Sequence, residues 1–139
     1  KQELRKLKLI VTERTSGHKP SDDCDVYIVN TYGEMSKFLR LSNVTFIGGS
    51  LVNHGGQNPL EAVRMGNYVM HGRKVHNFKE IYKELKKLKI SSEIKNIDQM
   101  EKVFVKNHNY KISNSKINKI NYLGAKIFEN NVKEIKNYL

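Results

Sequence analysis

VTFIGGSLVNHGGQNPLEAVRMGNYVMHG, residues 44–72, reads as strand, glycine loop, short helix and strand. The apolar run Val44–Ile47 ends in Gly48-Gly49-Ser50, and a second pair, Gly55-Gly56, follows. Asn58-Pro59-Leu60-Glu61 then opens a helix that stops at Gly66, and Tyr68-Val69-Met70 resumes a strand. Paired glycines let a backbone bend sharply and approach a ligand closely. Free N–H groups at a helix start just behind them suit a phosphate. The stretch therefore predicts a phosphorylated small molecule held at the carboxyl edge of a parallel sheet.

The same alternation extends outward. Residues 7–12 (LKLIVT) and 25–30 (DVYIVN) read as strands, with a polar loop between them. A short helix follows Gly33-Glu34, with Met35, Phe38 and Leu39 as its apolar positions. Phe78, Ile81, Tyr82, Leu85 and Leu88 repeat at helical spacing. Residues 93–97 suggest a short strand, Asp98 a helix cap, and the remainder a helical region broken near Ser113 and Gly124. Strands alternating with helices predict an α/β, Rossmann-like fold with a mostly parallel sheet flanked by helices. The loops at 30–34, 48–58 and 71–77 would then share one sheet edge.

Composition sets limits. The 139 residues suit one domain, and no apolar run approaches the ~20 residues of a membrane span. Cys24 is the sole cysteine, so no internal disulfide can form, which fits a reducing compartment. Five scattered histidines give no metal-ligand spacing. The formal charge is +11 and uneven: nine Lys/Arg face seven Asp/Glu up to Gly72, and sixteen face seven from Arg73 onward. Two readings stay open, a surface for an anionic membrane and a simple compositional drift toward Lys, Asn and Ile. No nucleic-acid partner is expected, because the chain lacks basic-aromatic interleaving and any zinc-finger or RNP-type motif.

Individual residues carry paired readings. Glu61 is either a capping-box carboxylate or a bidentate acceptor for ribose hydroxyls. Asn58 is a helix cap or an amide donor to phosphate. Gly33 and Glu34 form a turn into a helix favoured by the dipole, or a ligand loop. Ser50 donates to a phosphate oxygen or closes a turn; His54, His71 and His76 are loop histidines without a catalytic pattern. Neither G-x-G-x-x-G nor the P-loop signature is present.

NTYGEM (30–35), FIGGSLVNHGGQNPLEA (46–62) and NFKEIYKEL (77–85) together resemble the carboxyl-terminal part of the Kdo (3-deoxy-D-manno-octulosonic acid) transferases of lipopolysaccharide biosynthesis. The likeness spans about residues 25–88. It implies the carboxyl-terminal half of a GT-B glycosyltransferase, residues 1–139 being part of a domain that binds the donor CMP-Kdo. In that family the amino-terminal domain binds the lipid A precursor and carries the catalytic carboxylate, at the cytoplasmic face of the bacterial inner membrane. The resemblance places Thr31, Gly33 and Glu34 on a first donor loop and Gly48, Gly49 and Ser50 on a second. Gly55, Gly56, Asn58 and Glu61 fall on the nucleotide-binding segment, with Glu61 as ribose partner. Asn77 and Phe78 match a following N-F pair.

There are departures. Asn30 stands where the family has Asp, Gln57 where it has His, and Arg73 where it has Pro. The chain is also expected to lack the family's first strand-helix-strand unit, with its phosphate-contacting basic residues, and the acceptor domain. No catalytic residue is therefore expected here, and the piece alone should be inactive. No metal or other cofactor is expected. An uncovered sheet edge would allow pairing with a second copy. The alternatives are a non-catalytic nucleotide-binding module and a GT-B transferase for another nucleotide sugar.

Overall fold

The computed structural model describes residues 2–17 and 19–138. The chain forms two compact units, Lys1–Met35 and Ser36–Leu139. The first contains helix α1 (Gln2–Lys6), strand β1 (Val11–Glu13), a 3-10 turn (Arg14–Ser16) and strand β2 (Val26–Ile28). The two strands pair in parallel, Val11 opposite Val26 and Glu13 opposite Ile28. β1 is shorter than the apolar run 7–12 suggests. Lys8 adopts a left-handed φ of 60°, and the Leu7 and Lys8 N–H groups donate back to Leu4 and Arg5, so the run's first half closes α1.

Helix α2 (Met35–Leu39) opens at the division between the units. The second unit continues with β3 (Val44–Ile47), α3 (Leu60–Arg64), β4 (Tyr68–His71), a 3-10 turn (His76–Phe78), α4 (Lys79–Lys87) and β5 (Ser91–Glu93). Helices α5 (Ile97–Asn107) and α6 (Asn114–Lys136) complete it. β3, β4 and β5 form a parallel sheet in that order. The fold is thus α/β with parallel sheets flanked by helices; the strands divide into a pair and a triplet rather than one sheet.

β4 is central and buried throughout, as a strand covered on both faces must be. Its neighbours are Leu60 and Val63 from α3, Ile81, Tyr82 and Leu85 from α4, and Ile47, Ile90 and Ile120, all in one hydrophobic cluster. The helical repeat 78–88 explains α4, since Ile81, Tyr82 and Leu85 are its buried residues and Phe78 and Leu88 flank them.

Three expectations need correction. The last strand is Ser91–Glu93, not 93–97. Buried Ile90 and Ile94 bracket it, Ile90 O accepting from Val69 N at 3.0 Å and Ile94 N donating to His71 O at 2.7 Å. The cap of α5 is Asn96, whose Oδ1 accepts from Gln99 N at 2.9 Å, so Asp98 falls in the first turn. The break near Ser113 is real, but α6 runs unbroken through Gly124. The Arg64 guanidinium of α3 lies over Gly124, so the glycine sits where a side chain crosses the helix and does not end it.

Two buried polar groups tie this unit together. Asn67, fully buried, accepts from Thr45 Oγ1 at 2.6 Å and donates to Leu39 O at 2.7 Å. Asn67→Ala leaves both partners unsatisfied, so chemical denaturation should show a loss of about 1–3 kcal/mol. His71 ends β4 beneath Tyr82, ring centroids 4.3 Å apart, and its Nδ1–H donates to Gly72 O at 2.7 Å. Burial lowers its pKa. The unfolded chain then binds this proton more readily, so the stabilisation is complete above about pH 6.5 and is lost as pH falls through the folded pKa. Denaturation series across that window should show the decline in wild type and a flatter profile in His71→Gln.

Candidate nucleotide site

The loop after β3 is held in shape from within. The Ser50 hydroxyl is completely buried, donates to Ile47 O at 2.5 Å and accepts from Gly72 N at 2.8 Å. Lys74 N adds a bond to Ser50 O at 2.8 Å. Gly72 is required for this approach, because a Cβ there would run into the Ser50 carbonyl. The loops after β3 and β4 are therefore joined at the carboxyl edge of the sheet, as expected for 48–58 and 71–77.

The second glycine pair continues the join. Gly56 N donates to Gly49 O at 3.2 Å, folding the loop back on itself. Gly55 has a φ of +92°, and a Cβ there would overlap the Asn77 amide. Asn77 N donates to Gly55 O at 3.3 Å, and its Nδ2 donates to His54 O at 3.4 Å. Tyr82 OH reaches from α4 to Gln57 O at 2.9 Å, and burial pushes its pKa above the usual phenol range. Asn77 and Tyr82 are thus supporting residues of the loop. The N-F pair flagged Asn77; Tyr82 read only as core, because its helical spacing hides the use of its hydroxyl.

The exposed tip has a different character. Asn58 Oδ1 accepts from Leu60 N at 3.0 Å, so the amide caps the turn while its NH2 group has no partner among the described residues. Asn58 also borders a cleft of about 750 Å³ with Arg64, His76, Asn77 and Phe78. Glu61 lies in the first turn of α3, is exposed, and makes no capping bond among the described residues. Of the ten sequence-derived site residues, Gly48, Gly49, Ser50, Gly55, Gly56, Asn58 and Glu61 belong to this loop and helix tip. They form a scaffold (Ser50 and the glycines) with two outward polar ends (Asn58 and Glu61).

Thr31, Gly33 and Glu34 lie in the amino-terminal unit. There Arg14 grips Glu34 with two bonds, Nε to Oε2 and Nη2 to Oε1, both 3.0 Å, and Thr31 Oγ1 donates to Oε2 at 2.7 Å. The Glu34 carboxylate holds the Arg14 pKa above its ordinary value. Asn30 bonds Thr15 twice, accepting from its N–H at 3.1 Å and donating to its hydroxyl at 2.8 Å. Arg14 is a residue the sequence reading missed; it stands in a polar segment with no motif, twenty positions before its partner. Among the described residues no helix is long and apolar enough to cross a membrane, and no cluster of metal-ligating residues is present.

No family model matches the chain. It is 35% identical over 82 residues to a 3-deoxy-D-manno-octulosonic acid transferase of Haemophilus influenzae, covering 59% of this chain and 19% of that protein. A transferase of the same name from Rickettsia bellii is 29% identical over 130 residues, 94% of this chain and 26% of its own length. The chain thus spans about a quarter or less of these relatives. The solved carboxyl-terminal CMP-Kdo binding domain of WaaA from Acinetobacter baumannii superposes with a TM-score of 0.69 at 27% identity, covering 73% of this chain and 53% of that one. Sequence and fold agree with the motifs at 30–35, 46–62 and 77–85: the chain is similar to the carboxyl-terminal part of the Kdo transferases, and the likeness supports reading it as such a part.

Proposed function

We propose that the chain binds CMP-Kdo as the donor-binding part of a glycosyltransferase that delivers Kdo to a lipid A precursor. The observation that carries this is the pairing of a locked glycine loop with two unengaged polar ends, Asn58 NH2 and the Glu61 carboxylate. A carboxylate with two free oxygens accepts both hydroxyls of a ribose, and an amide NH2 donates to a phosphate oxygen. In the transfer, a lipid hydroxyl gives its proton to the catalytic carboxylate of the acceptor domain and attacks the anomeric carbon, the carbon–oxygen bond to CMP breaks, and the electron pair leaves on the phosphate. Asn58 and loop N–H groups would stabilise that growing negative charge.

Gly48, Gly49, Ser50, Gly55 and Gly56 shape the donor loop in this reading, with Ser50 acting through Gly72. Thr31, Gly33 and Glu34 keep a donor-binding role within the amino-terminal unit. Acceptor binding and the catalytic carboxylate are assigned to sequence outside residues 1–139. The reaction would proceed without a metal or other cofactor, at the cytoplasmic face of the inner membrane, where the lysine-rich half meets anionic lipid.

Calorimetric titration of the chain with CMP and UMP tests the reading. CMP should bind more tightly than UMP, and Glu61→Gln should weaken CMP binding about ten-fold by weakening the charged acceptor. Equal affinity for the two nucleotides would defeat the cytidine assignment, and an unaffected Glu61→Gln would remove Glu61 from the site.

A further inference from the structure

Helix α6 changes its apolar face partway along. Ile120 is fully buried, and Ile127 is the last of its described residues to pack on the hydrophobic cluster. A second stripe then continues on another side. Ala125, Phe128, Val132 and Ile135 follow one another at spacings of three, four and three, the repeat of a helix that meets a second helix. At about 100° per residue, this stripe lies roughly a third of a turn away from the face of Ile120 and Ile127. Phe128 is 69% and Ile135 60% exposed, with Val132 half-buried between them. Single exposed apolar residues are ordinary, but a stripe at core spacing is a face that gains by being covered.

The charges beside the stripe indicate what covers it. Residues 128–138 hold Glu129, Lys133, Glu134 and Lys136, two anions and two cations, in a chain of net charge +11. An anionic membrane favours a helix with a lysine-rich polar face, and this stretch is neutral. A neutral stretch is also where two copies of so basic a chain meet with least repulsion. Glu129 and Lys136, seven residues apart, flank the stripe on the same side, and neither has an ion pair among the described residues. In a parallel pair of α6 helices that side would face the partner's Asn131 and the partner's Tyr138, which carry no charge. In an antiparallel pair Glu129 meets the partner's Lys136, and Lys136 meets the partner's Glu129, which is a closed two-fold arrangement. Val132 then packs against the partner's Ile135. A slip of one heptad would set Glu129 against the partner's Glu129, so the charges fix the register as well as the direction.

We propose that the carboxyl-terminal end of α6 is a self-association surface. A second copy of this chain docks on it antiparallel, through Phe128, Val132 and Ile135, held in register by two pairs of Glu129 with Lys136. The seam is short, below the size of a standard interface, so the dimer is weak, with a Kd on the order of 100 µM. The surface does not depend on the CMP-Kdo assignment, because Glu129, Val132, Ile135 and Lys136 lie outside the glycine loop and outside the cleft beside Asn58.

Sedimentation equilibrium of the full 139-residue chain, from about 10 µM to about 1 mM at fixed salt, tests the surface. A reversible monomer–dimer equilibrium is expected. Ile135→Ala, a change at an exposed position, should raise the dimer Kd about ten-fold while the circular dichroism stays that of wild type. Glu129→Lys alone and Lys136→Glu alone should each raise it about ten-fold, because each sets like charges together twice. The double exchange Glu129→Lys/Lys136→Glu should return it to the wild-type value, which a parallel pair would not do. A chain that stays monomeric across the range, a dimer indifferent to Ile135→Ala, or a double exchange no better than the single ones would overturn the proposal. So would sedimentation of a monomeric chain with phosphatidylglycerol vesicles that Ile135→Ala abolishes, since the face would then belong to a membrane. None of these variants lines the nucleotide cleft, so CMP titration reports on the donor reading independently.

Discussion

The Ser50 hydroxyl is the contact on which the shape of the carboxyl edge rests. It uses its proton on Ile47 O and a lone pair on Gly72 N, with no exposure to water. One small side chain thereby couples the ends of β3 and β4, and the loops that leave them cannot move independently. Gly72 makes the coupling possible by letting the Ser50 carbonyl approach where any side chain would clash. Lys74 N then completes the junction through Ser50 O. Such a bond is strong because it is dry: inside the protein each of its groups would otherwise be left unsatisfied.

That junction separates the polar groups into two sets. Those of Ser50, Gly49, Gly55, Gly56, Asn77 and Tyr82 are spent within the two loops and on the strand end beneath them. The Asn58 NH2 and Glu61 carboxylate are left facing outward. A loop fixed before its ligand arrives loses little conformational freedom on binding, so each contact contributes more of its strength to affinity. This matters here because α3 has only five residues. Its dipole is correspondingly weak, and recognition has to come from the two side chains and the preset loop.

The α/β order and the glycine loop were legible because their signals are local. Val44–Ile47 and Tyr68–His71 are dense in strand-forming residues, and the glycines between them have no other good use. The α4 repeat was equally plain, since burial of Ile81, Tyr82 and Leu85 requires helical spacing. What escaped depends on distant partners. β5 is Ser-Ser-Glu, with no strand propensity of its own, and exists because Ile90 and Ile94 are buried on either side of it. Gly124 suggested a break because a glycine's packing neighbour, here Arg64, is invisible in sequence. Ser50 illustrates the same limit at the site: its residue type allowed either a ligand contact or a turn contact, and only the position of Gly72 distinguishes them. Arg14 stands in a polar segment without periodicity, and its pairing with Glu34 reaches past β2, beyond anything local spacing can show.

The lysine excess also looks different once it is placed on elements. Compositional drift alone would scatter cations and anions over α4 without regard to partners. Instead its acidic residues are matched from within the helix, Glu84 to Lys87 at 2.6 Å and Glu80, more loosely, to Lys83 at 3.9 Å. The surplus falls on Lys79 and Lys86, which share a cleft with Lys95. Like charges left unmatched on one helix face repel one another, so this placement raises the local positive potential beyond what an even scatter of the same residues would give.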